Sequence, residues 1–149
     1  MKQLLERTFP VETTPARAWE VVADAEHWPV WARHLRKVET TPPGPVRPGS
    51  TAVVFLRDFT QARVAVTRYV EGESFRWDGH FLWLRLGYDH AVHASLAGGW
   101  PEVRFTVWGD GIGAGSIGRV FAWVYARRLD RQIPRLQRLL AHQAAPTSS

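Results

Sequence analysis

The chain has no cysteine, one methionine and only two lysines among its 19 basic residues. Without cysteine there can be no disulfide, no thiolate metal site and no cysteine nucleophile. No apolar run reaches about 18 residues, so no segment is expected to cross a membrane as a helix. The opening MKQLLERTFP carries charge too early, and too little apolar length, for a secretory signal. No Gly-x-Ser-x-Gly elbow is found, and the few serines fall in loops or the tail. GIGAG at 111–115 lacks the Lys-Ser/Thr continuation and the βαβ setting of a phosphate loop. Internal repeats and low-complexity tracts are absent too. These exclusions fit a cytoplasmic domain.

What is present points to one folded unit. The 149 residues, 45% of them hydrophobic, suffice for a single domain with a real core. We expect it over residues 1–143, with a frayed tail over 144–149. Eight tryptophans, at 19, 28, 31, 77, 83, 100, 108 and 123, are spread along the chain. That is more than a core of this size needs, and Trp makes a good wall for a large apolar or planar ligand.

Only one long segment has helical periodicity, Ile112 to His142. At about 100° per residue, Ala122, Tyr125, Leu129, Ile133, Leu136 and Leu140 share one side. Arg127, Arg128, Arg131, Arg135 and Arg138 gather in an arc of about 100° on the other. Six Arg and one Asp lie in 112–142, which accounts for the whole formal charge of +5. This stripe is either a solvated face or a surface for an acidic protein, anionic lipid or nucleic acid. Nucleic acid is the weakest of these, because no DNA- or RNA-binding motif accompanies it. Pro134 removes one helical N–H, and a bend is expected there.

Strand-like runs fill most of the rest. Residues 3–11 read as a first strand. Thr14-Pro15 then opens a helix, Thr as cap and Pro at the first position. Pro29 ends or restarts it, and a second short helix is expected through Trp31, Ala32 and Leu35. The Pro/Gly-rich stretch 42–49 reads as a loop. In 50–57, Ala52, Val54 and Leu56 alternate with Val53 and Phe55. Val64, Val66 and Val70 share one side of 61–71. Phe75, Trp77 and Phe81 face one way in 74–81, and Arg76, Asp78 and His80 the other. Tyr88, His90, Val92, Ala94 and Leu96 share a face of 88–97, and Gly98-Gly99 marks a hairpin into Val103, Phe105 and Val107. Five glycines in 109–118 lead into the long helix.

The order is strand, two short helices, six antiparallel strands and a long helix. A bent sheet around one helix leaves a hollow that suits a ligand. With TPARAWEVVADAEHWPVW, GPVRPGS, YVEGESFRW, AGGWPEVRFTVWGDG and GRVFAWVYARRLDRQIPRLQRLL in sequence, the chain resembles the START-like (SRPBCC) helix-grip superfamily. Within it the likeness is to the polyketide cyclase/dehydrase-like group. The resemblance covers nearly the whole chain and rests on structural signatures, not catalytic ones. It implies an α+β helix-grip fold, with about seven strands wrapped around a C-terminal helix, and a cavity for a mostly apolar ligand.

Candidate ligand-binding residues are Trp31, Phe55, Val66, Trp77, Phe81, Tyr88, His90, Phe105, Phe121 and Tyr125. A strand slip of one residue would flip each assignment on that strand. No metal is expected. His90 and His93, at odd spacing on a strand, point to opposite faces, and Pro29 separates His27 from His34. No cofactor is expected either. The leading expectation is a binding or carrier protein for a hydrophobic or aromatic small molecule, with no nucleic-acid partner, as a monomer or homodimer. One alternative is a cyclase or dehydratase of polyketide-like substrates, with His90 and Tyr88 as catalytic residues and Asp58, Asp78 and Arg57 less certain in direction. A His among apolar neighbours has a lowered pKa and can serve as a base near neutrality. Another is a protein-interaction module acting through the Arg face.

Overall fold

Strand pairing places the first two strands of the chain at opposite edges of one sheet. A computed structural model describes residues 2–81, 83–95, 98–111 and 116–144. Its seven antiparallel strands are β1 (Lys2–Pro10), β2 (Leu35–Thr41), β3 (Thr51–Leu56), β4 (Gln61–Val70), β5 (Ser74–Phe81), β6 (Leu84–His93) and β7 (Glu102–Asp110). Their spatial order is β1-β7-β6-β5-β4-β3-β2. Helix α1 (Pro15–Ala23) and a 3-10 turn (Ala25–Val30) therefore carry the chain from one edge to the other. Helix α2 (Ile117–Ala144) closes the layer. This is the helix-grip fold expected from the sequence. Of the tail expected over 144–149, residue 144 ends α2 and 145–149 lie outside the described residues, as do residues 112–115 of the glycine-rich stretch.

Local chemistry sets these boundaries. Thr14 adopts an extended backbone and accepts from Arg17 N at 3.2 Å, with Pro15 opening α1. A polar cap and a proline together satisfy or remove amides that a helix start leaves orphaned. The second short helix, expected after Pro29 through Trp31, Ala32 and Leu35, is instead a 3-10 turn over Ala25–Val30 with Pro29 inside it. Leu35, expected on that helix, instead begins β2, a strand that periodicity did not reveal. Only Leu35, Val38 and Thr40 of β2 point inward. Strand β6 is also set earlier than expected, over 84–93, although its inward parity is as read.

The grip rests on a bulge. Leu4 is the extra residue between Gln3 and Leu5 in the β1–β7 register. A Cβ on Gly109 would stand 2.7 Å from its Cδ1, and one on Gly118 would stand 3.2 Å from it. Two glycines thus let Leu4 sit between strand and helix start. Further along, Arg7 Nε donates to Asp130 at 2.8 Å and Gln137 Nε2 to Pro10 O at 2.9 Å. The expected apolar stripe of α2 is buried at Ala122, Leu129, Leu136 and Leu140. The helix runs on through Pro134.

Candidate functional site

Two environments divide the space between sheet and helix. Near the 3-10 turn, aromatic rings fill it. Trp28 donates from Nε1 to Val22 O at 3.0 Å, and its ring lies 5.2 Å from Trp77 and 6.0 Å from Trp31. Trp31 stacks on Phe105 at 6.3 Å, and Phe105 meets Phe9 at 5.5 Å. At the centre sits His90, 5% exposed. Its ring is 4.5 Å from Phe75, 5.1 Å from Trp28, 5.4 Å from Phe105 and 5.6 Å from Trp77. Its Nδ1 has no hydrogen-bond partner among the described residues. Burial pushes its pKa down to about 3, against a smaller opposing effect of the Phe75 backbone. Desolvation penalises the imidazolium, so the ring stays neutral at pH 7.

Under the first half of α2 the environment changes. Val54, Leu56, Val66 and Tyr88 face inward from the sheet, yet all four are only half-buried. Phe121 and Tyr125 face them from the helix and are also half-buried. These two rings stack at 5.9 Å, and Tyr125 lies 5.9 Å from Tyr88. Val66, Trp77, Tyr88, Val107 and Leu5 form one row across five strands. The second half of α2, with Leu136 and Leu140 fully enclosed, packs closely. Its first half buries Ala122 and Leu129 but leaves Phe121 and Tyr125 half-buried. Neither the Tyr88 nor the Tyr125 hydroxyl has a hydrogen-bond partner among the described residues. Burial raises the Tyr125 phenol to about 12. Burial and then Tyr125 raise that of Tyr88 well above its ordinary range.

Most of the residues singled out from sequence therefore converge. Trp31, Trp77, His90 and Phe105 belong to the filled part, and Val66, Tyr88, Phe121 and Tyr125 to the open part. Phe55 is a correction. In the β2–β3 register it opposes Lys37, on the face away from the helix, where the Arg36 guanidinium covers its ring at 5.4 Å. The inward residues of that strand are Val54 and Leu56. Phe81 ends β5, and its side chain lies outside the described residues. Val70 is a second correction. A register shift between Val66 and Arg68 turns Tyr69 inward and leaves Val70 42% exposed.

The polar candidates sit elsewhere. Asp78 is on the outer face, accepting from Arg76 Nε at 2.8 Å and Arg85 Nη2 at 2.6 Å. Burial pushes its carboxyl up, but those two guanidiniums outweigh it and hold it below the usual range. Asp58 lies in the β3–β4 turn, bonded to Thr60 N at 3.0 Å and 3.5 Å from Arg128. Arg57 donates to Arg33 O. His90 and His93 point to opposite faces, one buried and one exposed. No three His, Asp or Glu side chains converge among the described residues. Trp28, Phe75, Val54 and Leu56 were missed as site residues. Val54 lies on a strand that is apolar on both faces, which hides the inner one, whereas Phe75 shares the inner face already read for Trp77.

An open cleft of about 620 Å³ lies between α1, the 3-10 turn, the 42–49 loop, the end of β4 and α2, with Trp31, Tyr69 and Leu139 in its wall. Its charged groups satisfy one another: Arg17 with Glu20 at 2.7 Å, His27 with Asp24 at 2.7 Å, and Tyr69 with Glu71 at 2.5 Å.

Sheet, helix and inner apolar face define a helix-grip protein. Residues 2–141 match the family described as polyketide cyclase / dehydrase and lipid transport, and the chain belongs to that family. Among solved structures, protein XoxI from Bacillus cereus superposes with a TM-score of 0.70 at 9% identity, covering 94% of this chain and 96% of that one. The di-domain ARO/CYC StfQ from the steffimycin biosynthetic pathway gives 0.69 at 12% identity, over 94% of this chain and 51% of StfQ. Ara h 8.0201 gives 0.68 at 12%, over 93% and 97%. At these identities the likeness concerns the fold. An uncharacterized protein of Mycobacterium tuberculosis (strain H37Rv) is 39% identical over 54 residues, 36% of this chain and 32% of that relative. The chain thus aligns with about a third of that curated relative's length. No described helix is long and apolar enough to cross a membrane.

Proposed function

We propose that this chain is a cytoplasmic binding or carrier protein for an apolar or aromatic small molecule, of lipid, polyketide or isoprenoid type. The ligand lies between the inner sheet face and the first half of α2. One observation carries the reading. Val54, Leu56, Val66, Tyr88, Phe121 and Tyr125 point at one another across the layer yet remain half-buried. Inward apolar surface left accessible to solvent is stabilised when a ligand covers it. The unpartnered Tyr88 and Tyr125 hydroxyls supply the few polar contacts that orient such a ligand. The test is native mass spectrometry of protein purified from its own host, beside a denatured sample. An excess mass that disappears on denaturation is expected. If its apparent affinity for added fatty acid and planar aromatic probes is nil as well, the reading fails.

A cyclase or dehydratase is the second reading, favoured by the likeness to StfQ. Its weak point is His90, which burial lowers to about 3, too weak a base for proton abstraction near neutrality. Turnover of a poly-β-keto substrate that survives both His90→Ala and Tyr88→Phe would remove these residues from catalysis.

A further inference from the structure

The turns β3–β4 and β5–β6 and the start of α2 all lie at one end of the sheet, because antiparallel hairpins alternate ends. Large apolar side chains protrude there. Phe59, in the β3–β4 turn, is 88% exposed, and Trp83, in the β5–β6 turn, is 58% exposed. Val120, Trp123 and Val124 of α2 are 65%, 61% and 40% exposed. Phe59 also has a positive φ of 69°, unusual for a bulky side chain and a mark of local strain. Asp58 ties this turn to α2 through Arg128 at 3.5 Å.

On α2, residues 120, 123, 124, 127 and 131 fall within an arc of about 100° on the side away from the sheet. Their apolar members occupy the first turns and Arg127 and Arg131 follow. The Arg127 guanidinium lies 5.0 Å over the Trp123 ring. Arg119, Arg127 and Arg131 are exposed and have no acidic partner among the described residues. The nearby acids Asp58 and Asp130 face Arg128 and Arg7.

We propose that this end of the molecule docks on an anionic lipid surface. Phe59, Trp123 and Val124 enter the headgroup layer, and Arg119, Arg127 and Arg131 meet lipid phosphates. Exposed Trp with flanking Arg is the composition that interfacial binding uses. A second copy fits poorly, since a two-fold contact would set the same arginines against each other. The apolar side chains project from separate elements as tips, which suits insertion into a fluid layer. Phe121 and Tyr125 lie on the same helical turns facing inward, so docking brings the half-open inner face next to lipid. That last link rests on the ligand reading above; docking itself does not.

The test is flotation with vesicles of phosphatidylcholine alone or with about one-third phosphatidylglycerol. The full chain should bind the anionic vesicles at least about tenfold better, and lose most of that binding in about 0.5 M salt. Phe59→Ser with Trp123→Ser, and separately Arg127→Glu with Arg131→Glu, should each reduce binding about tenfold or more, with circular dichroism unchanged. Equal binding to both vesicle types, or full binding by both folded double variants, overturns the proposal. So does concentration-dependent self-association that Trp123→Ser abolishes while wild-type protein ignores vesicles. Mass retained from the host is measured on the same variants. If vesicle binding persists in protein that carries no ligand, docking stands and the ligand reading falls. If ligand is retained but vesicles are not bound, the reverse holds.

Discussion

His90 and Phe75 lie face to face across β5 and β6, directly paired in register, with ring centroids 4.5 Å apart and planes 19° from parallel. The imidazole is packed as an aromatic ring, and its Nδ1 has no partner among the described residues. A buried polar atom in that state contributes nothing to offset its desolvation. His90→Leu should therefore leave the fold intact and be neutral or stabilising by about 1 kcal/mol at pH 7. Urea unfolding measures it, and a loss of more than about 2 kcal/mol would mean the ring shape itself is required.

The same burial sets an acid limit. Folded pKa values are about 3 for His90 and about 4 for His34, against 6.5 for the ordinary side chain. For His34, burial is the main cause and Arg128 adds to it. Because the folded pKa is depressed, the unfolded chain takes up the protons first. Stability is fully present above about pH 6.5 and is lost as pH falls toward the folded values. Each histidine contributes a slope of up to about 1.4 kcal/mol per pH unit in that window. His27, raised by its hydrogen bond to Asp24, acts in the opposite sense, weakly because it is exposed. Denaturation between pH 6.5 and pH 4.5 should show the decline, and His90→Leu should remove about half of it. A flat profile there refutes the buried neutral state.

Half-buried and fully buried positions should respond in opposite ways to a change of volume. Val66→Trp places bulk where solvent already reaches. It should abolish retention of apolar ligand in native mass spectrometry while changing stability by less than about 1 kcal/mol. Leu136→Ala, at 0% exposed, should cost about 3 kcal/mol. Equal destabilisation by both would mean that the first half of α2 packs as closely as the second.

On the outer face, Asp78 joins Arg76 and Arg85 with only 9% of its side chain exposed. Asp78→Ala removes the carboxylate that the Arg76 and Arg85 guanidiniums share, the first of them only 16% exposed. We expect a loss of about 3 kcal/mol, read from the urea midpoint. Recovery of most of it in Arg76→Met with Asp78→Leu would assign the cost to loss of this ion pair.

Alternation and capping carried most of this architecture in the sequence. Thr14-Pro15, the α2 stripe and the inward parity of β5, β6 and β7 were legible because each follows a regular period. What escaped was irregular. LRKVETT at 35–41 has few apolar residues, so no strand is read there and Leu35 alone falls on the expected short helix. The bulge after Val66 reversed the parity of β4 and turned Tyr69 inward. In β3 both faces are apolar, and only the pairing with β2 decides that Val54 faces the helix and Phe55 does not. Which aromatics are closely packed and which stay accessible depends on how α2 lies across the sheet. No local pattern encodes that.

The sheet order has a consequence for how the chain is made. Strand β1 pairs with β7, Leu5 opposite Val107, and Arg7 and Asp130 are 123 residues apart. Strand β1 must wait, unpaired, until the distant β7 has left the ribosome. Until then β7 and α2 cannot shield it. Assembly is therefore late and concerted, and the exposed early segment is a natural client for a holding chaperone.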